Sequence, residues 1–218
     1  MRKGLIFLSV IIALFSCTSN KSSQSISPGI KDSIFIETDW GKIDASFPVY
    51  NNAFADTLMH KIVFDAIAEF KEYTGEEVIS ENWKNELSLS YDEHILDNGL
   101  ISVIFTNYQY TGGAHGNAFY HSVVMDIKNE KVYKLADFFT NKALSNIQKP
   151  VRDILYKQIE SPDFIEEGTK VLADFGNFTL TDTSMVFWFS PYQVAAYAYG
   201  TQKVELKLDN MANFQWPK

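Results

Sequence analysis

Short apolar runs with a period of two dominate this sequence, and they constrain the fold more than any other feature. Such runs occupy residues 34–36, 43–47, 87–91, 101–105, 120–127, 177–180, 185–189 and 204–208. A period of two is typical of a strand with one buried face. Asp97-Asn98-Gly99, between two of these runs, is a strong hairpin signal. The pattern predicts mainly antiparallel sheet.

Two helical stretches interrupt the strands. In the first, from about residue 52 to residue 73, apolar residues recur every four positions, Asn51 or Asn52 is available as an N-cap, and Gly75 is available as a stop. The second, from about residue 142 to residue 159, has one apolar side and contains Pro150. A proline there predicts a kinked helix or two short helices. Few helices, clustered between strand groups, define an α+β fold.

We predict two associated lobes, an N-terminal α+β lobe at residues 33–111 and a C-terminal α+β lobe at residues 112–218. Each lobe is expected to pack one helical stretch on its sheet. The lobes are expected to meet near the glycine-rich residues 112–117, because that segment is predicted to join the last strand of one sheet to the first strand of the other. No internal repeat is evident in the sequence.

The N-terminus predicts export. Basic residues at positions 2 and 3 precede an apolar stretch at residues 5–15, which ends in Leu-Phe-Ser-Cys. This is the order of a secretory signal peptide, residues 1–16, and Cys17 then stands where a bacterial lipobox carries its lipid. Two alternatives are open: an ordinary signal peptidase cuts nearby, or the segment stays as an uncleaved anchor. The expected location is the bacterial cell envelope, with a lipid anchor in the outer or cytoplasmic membrane.

A flexible tether is predicted at residues 17–32, which are rich in Ser, Thr, Asn, Lys and Gln and contain Pro28-Gly29. Cys17 is the only cysteine, so no disulfide can form within the chain. The exported domain must therefore be held by its core, and a 46% hydrophobic content supplies one. Disorder and a disulfide-stapled miniprotein are both excluded.

Charge excludes one class of partner. The 218 residues include 27 acidic and 19 basic side chains, which gives a net charge of −8 with no basic block. A nucleic-acid backbone would be repelled by such a chain, so no nucleic-acid partner is expected.

The least ordinary segment is residues 108–117, Tyr-Gln-Tyr-Thr-Gly-Gly-Ala-His-Gly-Asn, with three glycines in five positions around one histidine. Glycines allow positive φ and close backbone approach, so the turn would present backbone N–H groups and an imidazole to a ligand. The candidate ligand-binding residues are Tyr110, Thr111, Gly112, Gly113, His115, Asn117 and, from an aromatic segment downstream, Tyr192. The alternative is a structural turn, in which the glycines shape a bulge and His115 bridges its backbone.

Other chemistry has no support in the sequence. The glycine segment lacks the lysine and Ser/Thr of a phosphate loop, no two histidines have metal-site spacing, and no Gly-x-Ser-x-Gly motif is present. We therefore predict no catalytic residue, no metal and no cofactor. An enzyme acting on cell-wall sugars or peptides stays an alternative, with His115 as acid–base and Asn117 or Asp126 orienting it. A structural subunit of an envelope complex is a third hypothesis.

Several motifs together resemble the RsiV-like family of envelope domains. They are the Tyr-x-Tyr-Thr-Gly-Gly-Ala-His-Gly segment at residues 108–116, Leu-Ala-Asp-Phe-Phe at 135–139, and the downstream segments 178–180, 185–189, 191–195 and 198–200. The resemblance extends from about residue 33 to residue 209. That family is also found N-terminal to peptidoglycan N-acetylglucosamine deacetylases and outside the membrane in an anti-sigma factor that binds lysozyme.

The resemblance implies an extracytoplasmic binding role. The deacetylase catalytic domain, with its Asp-His-His metal pattern, and a cytoplasmic segment ahead of the apolar stretch are not found, so deacetylation and transcriptional control are not expected. The first hypothesis is a non-catalytic, lipid-anchored envelope protein whose ligand is peptidoglycan glycan or a lysozyme-like protein. The acidic net charge would suit a basic lysozyme.

Overall fold

The computed structural model describes residues 26–140 and 143–217. The signal peptide at residues 1–16, the lipidation site Cys17 and the first part of the tether lie outside the described residues. The strands are β1 (Ile30–Glu37), β2 (Gly41–Val49), β3 (Asn85–Ile95), β4 (Ile101–Tyr110), β5 (Asn117–Asp126), β6 (Lys131–Tyr133), β7 (Phe178–Leu180), β8 (Ser184–Phe189) and β9 (Gln202–Lys207). The helices are α1 (Ala53–Thr74) and α2 (Ala143–Gln158).

The first six strands form one sheet in the order β1-β2-β3-β4-β5-β6. Every neighbouring pair is antiparallel except β2 and β3, which are parallel because α1 is the crossover connection between them. The last three strands form a second, antiparallel sheet in the order β7-β8-β9. The α+β prediction with mainly antiparallel sheets is confirmed.

Helix α1 covers one face of the six-stranded sheet. Its N-cap is Asn52, whose side-chain oxygen accepts a hydrogen bond from the Ala55 N–H at 3.0 Å, and Gly75 ends the helix at φ 60°. The buried stripe of α1 packs against the alternate residues of β2, β3, β4 and β5 that point to the same face. This core contains Met59, Val63, Ile67, Phe70, Ile43, Phe47, Leu87, Val103 and Phe105. The predicted helix is confirmed, and of the two asparagines proposed as its N-cap the structure uses Asn52.

Helix α2 packs on the three-stranded sheet. It is one helix with Pro150 inside it, so the alternative of two short helices is wrong. Its buried side chains meet the inner faces of β8 and β9 in a second core, which includes Ile147, Val151, Leu155, Met185, Phe187, Phe189 and Val204.

Two serine hydroxyl groups join the two sheets. The Ser102 Oγ of β4 accepts a hydrogen bond from the Leu180 N–H at 2.9 Å, and the Ser122 Oγ of β5 accepts one from the Phe178 N–H at 2.9 Å. Strand β7 therefore lies on the face of β4 and β5 that α1 does not cover. Tyr108 and Tyr110 point to this same face, further along β4, because side chains alternate along a strand.

The glycine segment is the loop of the β4–β5 hairpin. Gln109 and Asn117 pair directly across it, within the six-stranded sheet. The expectation that this segment joins two different sheets is therefore wrong, because the strand that follows it folds back on the strand before it. The predicted division between lobes at residues 111 and 112 falls inside this hairpin.

The folded region begins earlier than the sequence indicates. Residues 30–32, predicted as tether, are part of β1, and Ile26 packs against the α1 core. The Gly29 N–H donates to the Glu93 carboxylate at 2.9 Å, and the Tyr50 hydroxyl donates to its other oxygen at 2.6 Å. Burial, and next the bond to Glu93, raises the pKa of Tyr50. These bonds fix the entry of the chain, so a tether within residues 17–32 ends before residue 26.

A short repeat is present that sequence analysis missed. Leu-Ala-Asp-Phe occurs at Leu135–Phe138 and again at Leu172–Phe175, and both copies form a 3₁₀ helix. In both, the aspartate accepts a hydrogen bond from the backbone N–H three residues earlier, at 2.8 Å for Asp137 and 2.7 Å for Asp174. Both phenylalanines are fully buried. Each copy of the repeat is thus a short 3₁₀ turn that its buried phenylalanine attaches to the second core.

Candidate functional site

Glycine is required at three positions of the β4–β5 hairpin for two different structural reasons. Gly112 and Gly113 both have φ 95°, a backbone region that other L-amino acids rarely adopt. Gly116 is buried, and a Cβ there would lie 2.5 Å from the Tyr108 ring and 2.6 Å from the Gln109 carbonyl oxygen. The hairpin thus depends on glycine for backbone conformation at its tip and for close packing at its base.

Two tyrosine hydroxyls hold the hairpin. The Tyr110 hydroxyl donates to the Gly113 carbonyl at 3.0 Å, and the Tyr197 hydroxyl donates to the Gly116 carbonyl at 2.6 Å. Tyr197 begins the 3₁₀ helix Tyr197–Tyr199, which precedes β9 in the second sheet. The hairpin of the first sheet is therefore attached to the second sheet at this point.

His115 has a packing partner and is also exposed. Its imidazole stacks on the Tyr197 ring, with 3.8 Å between centroids and 17° between planes. Its Nδ1 lies 3.3 Å from the Gly116 carbonyl oxygen. The ring also lines a surface cleft. The sequence offered two alternatives for His115, contact with the turn backbone and access to a ligand, and the imidazole has both.

A cleft of about 350 Å³ lies beside the hairpin, on the sheet face opposite α1. Its lining combines aromatic rings with charged and amide side chains from β1, β2, the start of β3 with the loop before it, and the β4–β5 hairpin. The lining residues are Glu37, Lys42, Asn82, Trp83, Lys84, Asn85, Glu86, Tyr108, Tyr110, Ala114 and His115. Sequence reasoning missed most of them, because their common position depends on the pairing of β1 to β4.

A second cleft, of about 430 Å³, adjoins the first. Ile79, Ser80, Gly112 and Gly113 line it, together with Trp83, Tyr110 and Ala114, which line both clefts. The Trp83 and Tyr110 rings lie 6.3 Å apart between centroids. The two clefts therefore form one surface depression, here named the hairpin groove and defined by the lining residues of both.

The groove is electrostatically mixed. Lys84 forms an ion pair with Glu37 at 3.3 Å, and both side chains are partly exposed to solvent. The Lys42 ammonium lies 5.8 Å from the centroid of the Phe35 ring and has no carboxylate within ion-pair distance among residues 26–140 and 143–217. The groove thus offers both hydrogen-bond donors and acceptors, without a strong field of one sign.

The structure brings some of the predicted ligand-binding residues together. Tyr110, Gly112, Gly113 and His115 line the groove, and Thr111 does not. Asn117 points to the opposite face of the sheet, because it pairs with Gln109, whose neighbours Tyr108 and Tyr110 point into the groove.

Tyr192 lies outside the groove but is linked to it through one ring. It is 57% exposed, and its ring centroid lies 5.5 Å from that of Tyr197, on which His115 stacks. The Tyr192 backbone has φ 67°.

Asp126 cannot orient His115. Asn117 and Asp126 are the two ends of β5, which at about 3.3 Å per residue places them roughly 30 Å apart. The Asp126 carboxylate instead accepts hydrogen bonds from Asn129. In the part of the chain that the structure describes, no group of three His, Cys, Asp or Glu side chains is placed to hold a metal ion. No helix there is long and apolar enough to cross a membrane.

Two family matches divide the chain. Residues 34–118, which include the second half of β1, all of β2 to β4 and the glycine-rich hairpin loop, match the family described as "Deacetylase PdaC". Residues 136–209, which include α2 and the second sheet, match the family described as "Protein of unknown function (DUF3298)". Residues 34–118 and 136–209 are therefore similar to two different families, and each match covers less than half of the chain.

The chain is also similar to one characterised protein. Over 172 residues the chain is 25% identical to the peptidoglycan-N-acetylmuramic acid deacetylase PdaC of Bacillus subtilis. The matched region covers 74% of this chain and 36% of the relative. The chain thus spans about a third of that protein's length. Its name specifies N-acetylmuramic acid, where the resemblance seen in the sequence suggested N-acetylglucosamine deacetylases.

Solved structures agree with the fold. A DUF3298 family protein from Pseudomonas aeruginosa has a TM-score of 0.61 at 14% identity, with 88% of this chain and 96% of that chain covered. A DUF3298 family member from Bacteroides fragilis has a TM-score of 0.57 at 18% identity, with 87% and 94% covered. At these identities the similarity shows the fold alone.

Proposed function

We propose that this protein is a non-catalytic, lipid-anchored module of the bacterial cell envelope that binds cell-wall glycan, and that the hairpin groove is its binding site. The observation that carries the proposal is the composition of the groove, in which exposed aromatic rings stand beside polar side chains. Sugars need both: their C–H faces pack on aromatic rings, and their hydroxyl and amide groups need fixed hydrogen-bond partners.

Trp83 is the central residue of this proposal. Its side chain is 65% exposed, although burial of an indole ring would be favourable, and it lines both halves of the groove. Tyr108 and Tyr110 lie in the adjoining wall, and Lys42 and Glu86 provide a donor and an acceptor beside them. The arrangement suits a flat ligand with an apolar face and polar edges.

The comparisons support the choice of glycan. The match to the PdaC family covers residues 34–118, which contain every lining residue of the groove. The relative in Bacillus subtilis is named for a peptidoglycan sugar. A binding role for this part of the chain is our inference, since the activity belongs to the relative as a whole.

A Trp83→Ala substitution is expected to weaken binding to purified peptidoglycan about tenfold, equal to about 1.4 kcal/mol, because the aromatic platform is lost while the fold is kept. Binding is measured by co-sedimentation of the full chain, purified in mild detergent, over a range of peptidoglycan concentrations. The matched control is Tyr73→Ala, which removes a 76% exposed ring on α1 and is expected to leave affinity unchanged.

Three outcomes of that experiment are informative. Equal weakening by Trp83→Ala and Tyr73→Ala would place the binding surface elsewhere. No binding of the unsubstituted chain would overturn the glycan proposal. Binding of a basic lysozyme at low salt, with none to peptidoglycan, would favour the second candidate, a lysozyme-like protein partner, whose support is the net charge of −8. A lysozyme-like partner would also agree with the RsiV-like character that the sequence predicts for residues 112–218, which is likewise a proposal.

The lipid anchor rests on the sequence at Cys17. A Cys17→Ser substitution is expected to abolish incorporation of a radiolabelled fatty acid in the producing bacterium, because serine has no thiol to carry the lipid. Immunoblotting of the same cells shows whether the chain is still made. Absence of label from the unsubstituted chain would contradict the lipid anchor, and label that persists in the Cys17→Ser chain would place the lipid on another residue.

A further inference from the structure

We propose that the site accepts an extended glycan chain of several sugars, lying across the β4–β5 hairpin from the groove onto a second aromatic surface on the C-terminal sheet. This inference rests on the proposed glycan binding and names the form of its ligand. The second surface, here named the tyrosine ledge, consists of His115, Tyr197 and Tyr192.

The tyrosine ledge is continuous with the groove. His115 lines the groove and stacks on Tyr197 at 3.8 Å, and Tyr197 in turn contacts Tyr192 at 5.5 Å between centroids. On the other side of the groove, Trp83 and Tyr110 lie 6.3 Å apart. Aromatic rings therefore follow one another from the loop before β3, over the hairpin, to the loop after β8. One ring covers about one pyranose face, so a strip of this kind suits several sugars in a row.

Tyr192 does not serve the core. Its ring is 57% exposed, and its backbone has φ 67°, which is unfavourable for a bulky side chain. Strained residues persist where the surrounding structure fixes them, and they are concentrated at binding sites. Packing alone does not explain a strained, exposed aromatic residue next to a ligand groove.

The turn that carries Tyr192 is firmly held by Gln193. The Gln193 Oε1 accepts from the Ser190 N–H at 3.3 Å, and its Nε2 donates to the carbonyls of Asp174 at 2.8 Å and Gly168 at 3.3 Å. The backbone also packs closely, because a Cβ at Gly168 would lie 1.8 Å from the Gln193 carbonyl oxygen. Tyr192 is thus presented on a rigid support, which lowers the entropy cost of binding.

The chain-length dependence of binding tests this inference. Isothermal titration of the full chain in mild detergent uses N-acetylglucosamine oligomers of two and six sugars as probes. We expect at least tenfold tighter binding of the six-sugar oligomer. Trp83→Ala is expected to weaken both oligomers, since each occupies the groove.

Tyr192→Gly is the decisive variant. Glycine accepts φ 67° without strain, so the variant is expected to fold while the ledge loses its outer ring. We expect it to remove most of the length advantage and to leave the affinity for the two-sugar oligomer unchanged. Tyr73→Ala is again the control and is expected to change neither value.

The outcomes separate the two proposals. No binding of either oligomer or of peptidoglycan would overturn the proposed function, and this inference with it. Binding of both oligomers with equal affinity, or an intact length advantage in Tyr192→Gly, would overturn the extended site alone. The first result concerns the groove, and the second concerns the ledge.

Discussion

A Phe138→Ala substitution is expected to lower the free energy of unfolding by about 4 kcal/mol, which is typical for the loss of a buried phenylalanine. Phe138 has no solvent exposure and is the centre of an aromatic cluster. Its ring contacts those of Tyr133, Phe178, Phe214 and Trp216 at centroid distances of 5.9, 5.8, 6.3 and 6.4 Å. Alanine would leave a cavity bordered by residues from β6, β7 and the C-terminal segment, which cannot all close it together.

Urea unfolding followed by circular dichroism measures this loss, because the midpoint and slope together give the free energy. Phe64→Ala is the matched control, since Phe64 is 54% exposed on α1 and its removal is expected to cost less than about 1 kcal/mol. Phe175, the corresponding residue of the second Leu-Ala-Asp-Phe copy, is expected to behave like Phe138. A loss for Phe138→Ala no greater than the control would contradict the central role of the cluster.

The elements that sequence could predict are those with local causes. Helix α1 has an apolar stripe, an asparagine N-cap and a glycine stop, and all three act within a few residues of the chain. The strands around Asp97-Asn98-Gly99 also follow from local signals, and β3 and β4 pair across that turn. In such segments the pattern and the three-dimensional structure have the same physical origin.

The missing predictions concern non-local pairing. A period of two fixes which residues share a face and does not fix which strand is the neighbour. The parallel pairing of β2 with β3 depends on the α1 crossover, and the return of β5 onto β4 depends on the glycine hairpin. The groove is built on these pairings, so Lys42, Trp83 and Glu86 could not be placed together from the sequence.

Two details could have been found. The duplicated Leu-Ala-Asp-Phe is visible as an identical tetrapeptide, and its aspartate three residues after an N-cap position is a known capping arrangement. Trp83 also had a signal, since a tryptophan in a polar loop between a helix stop and a strand has no core face to occupy.

The motifs that carry the family resemblance have structural roles. In the segment at residues 191–195, Gln193 bonds three backbone groups, and Val194 and Ala195 are fully buried. In the segment at residues 108–116, two glycines allow positive φ and Tyr110 bonds the hairpin backbone. Such motifs specify the scaffold, which is why the resemblance predicted the fold in more detail than the ligand.

A Gly116→Val substitution is expected to lower the free energy of unfolding by about 3 kcal/mol, at the upper end of the usual cost of overpacking. A Cβ at this position would meet the Tyr108 ring at 2.5 Å and the Gln109 carbonyl oxygen at 2.6 Å. The carbonyl belongs to the paired strand β4 and cannot turn away without breaking the ladder. The Gly116 carbonyl would also move from the Tyr197 hydroxyl, which it now meets at 2.6 Å.

Gly113→Ala is the comparison that separates packing from backbone conformation. Apart from its own chain neighbours, no atom of the described residues lies within 4 Å of a Cβ at Gly113, so its substitution adds only the cost of φ 95°, about 1 kcal/mol. Urea unfolding should therefore give a much lower free energy of unfolding for Gly116→Val than for Gly113→Ala. Because the clash at Gly116 acts on Tyr108 in the groove wall, affinity for peptidoglycan per folded molecule should fall with Gly116→Val and hold with Gly113→Ala. Equal stability losses in the two variants would contradict close packing against Tyr108 and Gln109 as the reason for glycine at the base of the hairpin.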